Sequence, residues 1–326
     1  MKRNHKLTPA WVGIGAAVAT SACGASFDLY NELHSFRLLA VRAEPPTLAP
    51  GGTTVLDALL YEPDDQDTTY AWSWCPVRAG ADGAYECAIS ETDFKAQLAA
   101  AGVPADSLTF DLGSNPTATF AHPIDPLVLA AVCSQPFGPA GGSAASVINC
   151  DQGFPVSVGL TVTHGGKEIS GFKALYLALD ASAPVNANPT LTGLSIAVTK
   201  GTVNDAVPLD SGDASFTATL TKDYELFADV PEAAAETFFG TTTPGIAATE
   251  QREVLYITWF IEAGHTSSQH TTFFEGTAGF NTLDHNTWSL PQPEEFDRDH
   301  AKIILVLRDN RGGVAWLTRD VLVALP

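Results

Sequence analysis

Apolar and polar positions alternate two residues apart through much of this chain, the period of a half-buried β-strand. Residues 53–61 alternate around Val55, Asp57, Leu59 and Tyr61, and residues 69–75 put Tyr70, Trp72 and Trp74 on one face with Ala71, Ser73 and Cys75 on the other. Residues 36–43 are apolar and stop at Glu44-Pro45-Pro46, where proline withdraws the backbone donor that a strand needs. Residues 156–163 and 168–179 flank His164-Gly165-Gly166-Lys167, which predicts a hairpin because two glycines accept positive φ. Between these strands the pattern loosens. Ser90 stands three residues before Asp93, Phe94, Leu98 and Ala101 follow at helical spacing, and Gly102 ends the run, which predicts a short helix. Residues 127–132 are an apolar run that fits helix or strand.

Residues 181–189 hold two prolines and two asparagines among small residues and read as a linker. The strand pattern then resumes at 191–198, 215–221, 253–263, with Leu255, Ile257, Trp259 and Ile261 facing inward, and 271–275. Residues 302–308 and 314–325 form a last hairpin around Asp309-Asn310-Arg311-Gly312-Gly313. The halves repeat: each has a Trp-bearing middle strand and closes on a Gly-Gly hairpin. The expected fold is all-β, as two tandem β-sandwiches over 36–180 and 190–326, the first carrying a partly helical, disulfide-bearing insertion at about 76–153.

Composition narrows the function. The chain has 326 residues, 45% of them hydrophobic, and a formal net charge of −20. That supports a sizeable core, and so acidic a chain repels the phosphate backbone, which excludes nucleic acid as a partner.

The N-terminus carries an address. Lys2, Arg3 and Lys6 precede a short apolar run at 11–19, with small residues at 20–22 and then Cys23. The run is shorter than the ~20 residues of a spanning helix and fits a cleavable signal over 1–22. Thr20-Ser21-Ala22-Cys23 resembles a bacterial lipobox, with Thr20 where leucine is usual. The resemblance implies lipidation of Cys23, a lipidated tether over 23–35 and, with Gly24 rather than aspartate next, the outer membrane. The bland alternative is an ordinary signal peptide that leaves Cys23 as a free thiol.

Four cysteines remain in an oxidising compartment, so disulfides are expected. Four cysteines allow three connectivities; Cys75–Cys87 with Cys133–Cys150 is the favoured one because each pair closes a Gly-rich stretch, and a Cys₄ zinc site lacks its usual spacing. The Trp-bearing strand and the Val306–Gly313 hairpin sequence are similar to immunoglobulin-like modules of bacterial surface proteins, including the polycystic-kidney-disease type. Taken whole, the chain resembles lipoproteins of large-genome bacteria.

No nucleophile elbow, zincin helix, Walker loop or Rossmann fingerprint is present. Leu209-Asp210-Ser211-Gly212 has the Asp-Ser-Gly of aspartic proteases but no second copy, and reads as a polar turn. His265, His270 and His285 with Asp284 form a candidate metal cluster, because imidazole and carboxylate suit zinc or copper; exposed loop histidines are the bland alternative. Asp64, Asp65 and Asp67 are candidate calcium ligands or a solvated turn. Trp288 is the tryptophan most open to stacking on a sugar. The expectation is a non-catalytic, lipid-anchored envelope protein that binds a protein or glycan partner. The alternatives are a metal-dependent hydrolase using the histidines, and an accessory lipoprotein of a secretion or assembly complex.

Overall fold

The computed structural model describes residues 29–325 apart from 79–85, 101, 107, 134–135, 138–145, 148–149, 151, 182–184, 199–201, 210–215, 241–248 and 274–282. Residues 1–28, which hold the segment read as a signal and Cys23, and the Asp-Ser-Gly sequence at 210–212 lie outside the described residues. Among the described residues no helix is long and apolar enough to cross a membrane.

The first half contains β1 (Arg37–Glu44), β2 (Thr47–Leu48), β3 (Thr53–Tyr61), β4 (Thr68–Cys75), α1 (Glu91–Ala100), β5 (Asp111–Gly113), β6 (Ala118–Ala121), α2 (Pro126–Cys133), β7 (Pro136–Phe137), β8 (Ser146–Val147), β9 (Phe154–His164) and β10 (Lys167–Leu177). One sheet is ordered β1-β3-β6 and the other β2-β10-β9-β4-β5. β2 joins β10 in parallel, so the chain changes sheet at Pro45-Pro46. The α1 start follows its sequence signal: the Asp93 N–H donates to Ser90 Oγ at 3.1 Å, and Gly102 ends the helix at φ +76°. The run at 127–132 is helical, in α2. Trp72 and Trp74 sit in the core with Val158, Leu160 and Leu175, and their indole N–H groups donate to the Asn115 and Thr109 carbonyls at 3.0 and 2.6 Å. The disulfides pair Cys75 with Cys87 and Cys133 with Cys150.

The second half contains β11 (Gly193–Val198), β12 (Val207–Pro208), β13 (Thr217–Thr219), β14 (Asp223–Asp229), β15 (Thr237–Gly240), β16 (Thr249–Arg252), β17 (Leu255–Ile261), β18 (His265–Thr266), β19 (His270–Phe273), β20 (His285–Ser289), β21 (His300–Asp309) and β22 (Val314–Ala324). Its sheets run β12-β11-β14-β20-β18 and β13-β22-β21-β17-β19. The connectivity repeats that of the first half: β13 pairs in parallel with the closing strand β22, as β2 does with β10. β14, a central strand, was not expected from the sequence reading, although Tyr224, Leu226 and Ala228 alternate inward.

The segments read as tether and linker are built into the fold. Leu33 N–H donates to the Ile261 carbonyl at 2.8 Å and Ile261 N–H to the Asn31 carbonyl at 2.9 Å, so residues 31–33 extend the edge of β17. Leu33 and Asn31 are buried. In the linker, Asn186 is buried, and Asn188 ties the halves together: it donates to the Ala43 carbonyl at 2.8 Å and accepts from Val314 N–H at 2.8 Å.

A third core lies between the halves. Leu39, Ala40 and Tyr61 on the outer face of β1 and β3 pack with Leu33, Phe260, Ile304, Val306 and Val314. The β17–β21–β22 sheet is therefore covered on both faces. That accounts for its near-continuous apolar stretches, Leu255–Ile261 and the Ile303-Ile304-Leu305-Val306-Leu307 run, in place of strict alternation.

Candidate functional site

Five buried polar residues, Lys173, Asn186, Glu253, Asp309 and Arg311, surround the β21–β22 turn at the junction of the halves. Asp309 closes this turn: its Oδ1 accepts the backbone N–H groups of Arg311 at 2.8 Å and Gly313 at 2.6 Å. Gly312 sits at φ +95°. A Cβ on Gly313 would lie 2.0 Å from Asp309 Oδ2 and 2.8 Å from Pro189 Cδ, so glycine here lets the linker lie against the turn. At Gly166 a Cβ would meet nothing within 4 Å, so there glycine serves only the turn's backbone. The Asn186 amide donates to Asp309 Oδ2 at 3.2 Å.

On one side of the turn, the Arg311 guanidinium donates to Glu253 Oε1 at 3.1 Å and Glu236 Oε2 at 3.3 Å, and lies 4.6 Å from the Phe238 ring centre. Glu253 is 1% exposed. Burial, and then the Asp309 charge, push its carboxyl up to about 7, against the pull of the Glu236 N–H and Arg311. Among the described residues, Asn186 Oδ1 and Arg311 Nε are buried without a hydrogen-bond partner.

On the other side lies a cleft of about 330 Å³. It opens between β1 and β10, and Tyr256, Arg308 and the 312–314 backbone of the second half complete it. Lys173, on β10, is 7% exposed and donates to the Gly312 carbonyl. Burial pushes its ammonium down to about 8; Asp309 opposes that and Arg308 adds to it. Arg308 donates to Thr258 Oγ1 at 3.1 Å and to the Leu39 carbonyl at 2.8 Å. Beyond the cleft, Tyr61 of β3 donates to Glu262 Oε1 at 2.7 Å. Burial, and then the Glu262 carboxylate that its hydroxyl faces, hold that phenol up at about 12.

The residues singled out from the sequence have other settings. His265 and His285 lie on β18 and β20, but His265 pairs with Ser289, four residues along the strand from His285. At ~3.4 Å per residue that is about 14 Å, too far to share one ion. His270 is in the other sheet, within 3.1 Å of Thr258 Oγ1, and burial lowers its pKa. His285 pairs with Glu225 at 2.7 Å and stacks on Phe227. Asp284, raised by burial, shares a cleft of about 520 Å³ with His285. Among the described residues no group of three or more His, Cys, Asp or Glu side chains could hold a metal, so strand pairing leaves the expected histidine cluster unassembled. Asp64 Oδ1 accepts from His164 Nε2 at 2.7 Å, and His164 is itself buried and stacked on Phe36, so Asp64 is a partner of that ring.

Trp288, expected at the surface, is fully buried. Its indole donates to the Ala263 carbonyl at 2.8 Å, inside the second core. The Lys173–Arg308 cleft was missed by the sequence reading because its two cations come from opposite halves. A lysine on an otherwise inward-facing strand position was the only local signal.

No family model and no curated protein matches this chain. Among solved structures, it is similar to three N-terminal domains of the bacteriophage RB49 highly immunogenic outer capsid protein, at 8% identity and TM-score 0.19, over 90% of this chain and 100% of that one. It is similar also to a structure described as bearing on host cell surface retention of a 1.5-MDa bacterial ice-binding adhesin, at 12% identity and TM-score 0.20, over 90% of this chain and 67% of that one. A third is SGBP-B of the Bacteroides ovatus mixed-linkage glucan utilisation locus, in complex with a heptasaccharide, at 9% identity and TM-score 0.18, over 90% and 71%. At these TM-scores none of them carries an argument about this chain.

Proposed function

We propose that this protein is a non-catalytic, lipid-anchored component of a bacterial outer membrane, in which two immunoglobulin-like sandwiches form one rigid body that presents a binding surface to a protein or glycan partner. The two-sandwich reading is supported by the repeated connectivity of the halves, with a short early strand lying parallel to the closing strand in each. The anchor reading is supported by the lipobox-like Thr20-Ser21-Ala22-Cys23.

The observation that carries the rigid-body reading is the third core, which fills the space between the halves with apolar side chains from both. A hinge at 181–189 would have to expose it. The anchor point follows from the same region. Residue 31 is already fixed to β17, so the eight residues from Cys23 span at most ~28 Å. The folded body is then held near the bilayer by its second half, although the first half comes first in sequence.

Fractionating cells that express wild type and Cys23→Ser tests the anchor. The wild type is expected in the membrane pellet with an acyl mass on Cys23, and the variant in the soluble fraction. A variant that still pellets after a high-salt wash, together with an unmodified Cys23 in the wild type, refutes it.

A further inference from the structure

The cleft between β1, β10 and the second half places a buried lysine and a half-buried arginine where the rest of the chain is strongly acidic. Lys173 and Arg308 both line it, in a protein of net charge −20. Neither makes an ion pair among the described residues. Lys173 has one backbone carbonyl for three N–H donors. Arg308 spends two of its five donors, on a threonine hydroxyl and a backbone carbonyl. The one carboxylate on the wall, Asp309, is committed elsewhere: Oδ1 to two backbone N–H groups and Oδ2 to Asn186.

Two like charges held together with one of them largely out of water are unfavourable unless a counter-charge meets them. The unspent donors give an anion several charge-assisted hydrogen bonds. The remaining wall is partly aliphatic, with Leu38, Val41, Ile169 and Val314, and so accommodates a carbon skeleton as well as a charge. At about 330 Å³ the cleft is at the small end of ligand sites, which run ~300–1,000 Å³.

We propose that this cleft binds a small organic carboxylate, with Lys173 and Arg308 as its counter-charges and the aliphatic wall against its skeleton. The proposal goes beyond the rigid-body reading, and it stands with or without the lipid anchor.

Thermal unfolding and calorimetric titration of the soluble Cys23→Ser chain with succinate and glucuronate, at ionic strength held constant with NaCl, test it. Glucose and sulfate serve as comparison probes. At least one carboxylate is expected to raise Tm saturably by a few degrees, and glucose to have no effect. Lys173→Met and Arg308→Met, each still unfolding cooperatively, should weaken binding at least tenfold. The wild type gives a second readout that does not depend on the variants. Burial holds Lys173 down near 8, with Arg308 beside it and only Asp309 in opposition. An anion seated there restores its proton, so the heat of binding at pH 8 should differ between buffers of different ionisation enthalpy. No saturable effect from either carboxylate, an equal effect from sulfate, or unchanged binding in Lys173→Met would each overturn the proposal.

Discussion

Glu253→Gln should make the protein more stable at neutral pH, although it removes one partner of a buried ion pair. The magnitude follows from the position of the carboxyl. It moves from an ordinary 4.5 to about 7 on folding, and each tenfold change in proton affinity is worth about 1.4 kcal/mol, so the ionised form costs roughly 3 kcal/mol. The folded pKa is the raised one. The stabilisation of the protonated form is therefore complete below pH 4.5 and lost as pH rises through about 7. Glutamine stands in for the protonated acid: its carbonyl oxygen can still accept the Glu236 N–H, now taken by Oε2 at 3.0 Å. Urea denaturation followed by tryptophan fluorescence, for both proteins at pH 4.5, 6, 7 and 8, gives the difference directly, and groups titrating elsewhere cancel in it. The two should coincide at pH 4.5, and the variant should lead by about 3 kcal/mol at pH 8. A difference that stays flat with pH, or a variant less stable at pH 8, means that Arg311 dominates Glu253 and the reasoning fails.

Two further perturbations probe the same junction. Lys173 falls from 10.5 to about 8 on folding, so wild-type stability should rise as pH climbs from 8 to 10.5, and the rise should be absent in Lys173→Met; a common slope in both refutes it. A fragment of residues 188–326 would expose Phe260, Ile304, Val306 and Val314, each worth ~1.5–3 kcal/mol when buried, and that sum rivals the usual 5–15 kcal/mol of net stability. The fragment should self-associate or unfold without cooperativity in calorimetry, and a monomeric fragment with a sharp transition would show that the second half is self-sufficient.

Much of the strand layout was legible because each half buries one face of most of its strands, and that leaves a period of two in the sequence. The Ser90 cap, both glycine hairpins and the two cysteine loops are local devices with local signals, and the structure has each of them. What was not legible depends on partners distant in sequence. Asn186 and Asn188 look like linker residues because nothing near them in sequence shows that they meet Asp309, Ala43 and Val314. The tether could not be separated from the fold because Leu33 is a single apolar residue among polar ones, and only β17 gives it a place. β14 escaped notice because the acidic residues Asp223, Glu225 and Asp229 break up its outer face. The histidines were grouped by sequence distance, whereas antiparallel pairing puts His265 opposite Ser289 and sends His270 to the other sheet. One signal was available and misread: the unbroken apolar runs in β17 and β21 indicate burial on two faces, and therefore a neighbour beyond their own sandwich.

That neighbour links the architecture to the proposed ligand. Lys173 belongs to the first half and Arg308 to the second, and the Leu39 carbonyl that holds Arg308 lies on β1. The cleft has its full set of donors only while the third core is closed. Anything that binds there therefore binds the docked form alone, and stabilises docking by RT ln(1 + [L]/Kd). The converse also holds: loosening the third core lowers the competent fraction, and apparent affinity falls in proportion. The burial of Lys173, a first-half residue, against the Gly312 carbonyl of the second half has the opposite tendency, since desolvation pushes its ammonium down to about 8. Apolar contact closes the junction and the buried lysine opposes closure. A ligand of the right charge would act on that balance at the point where the opposition arises.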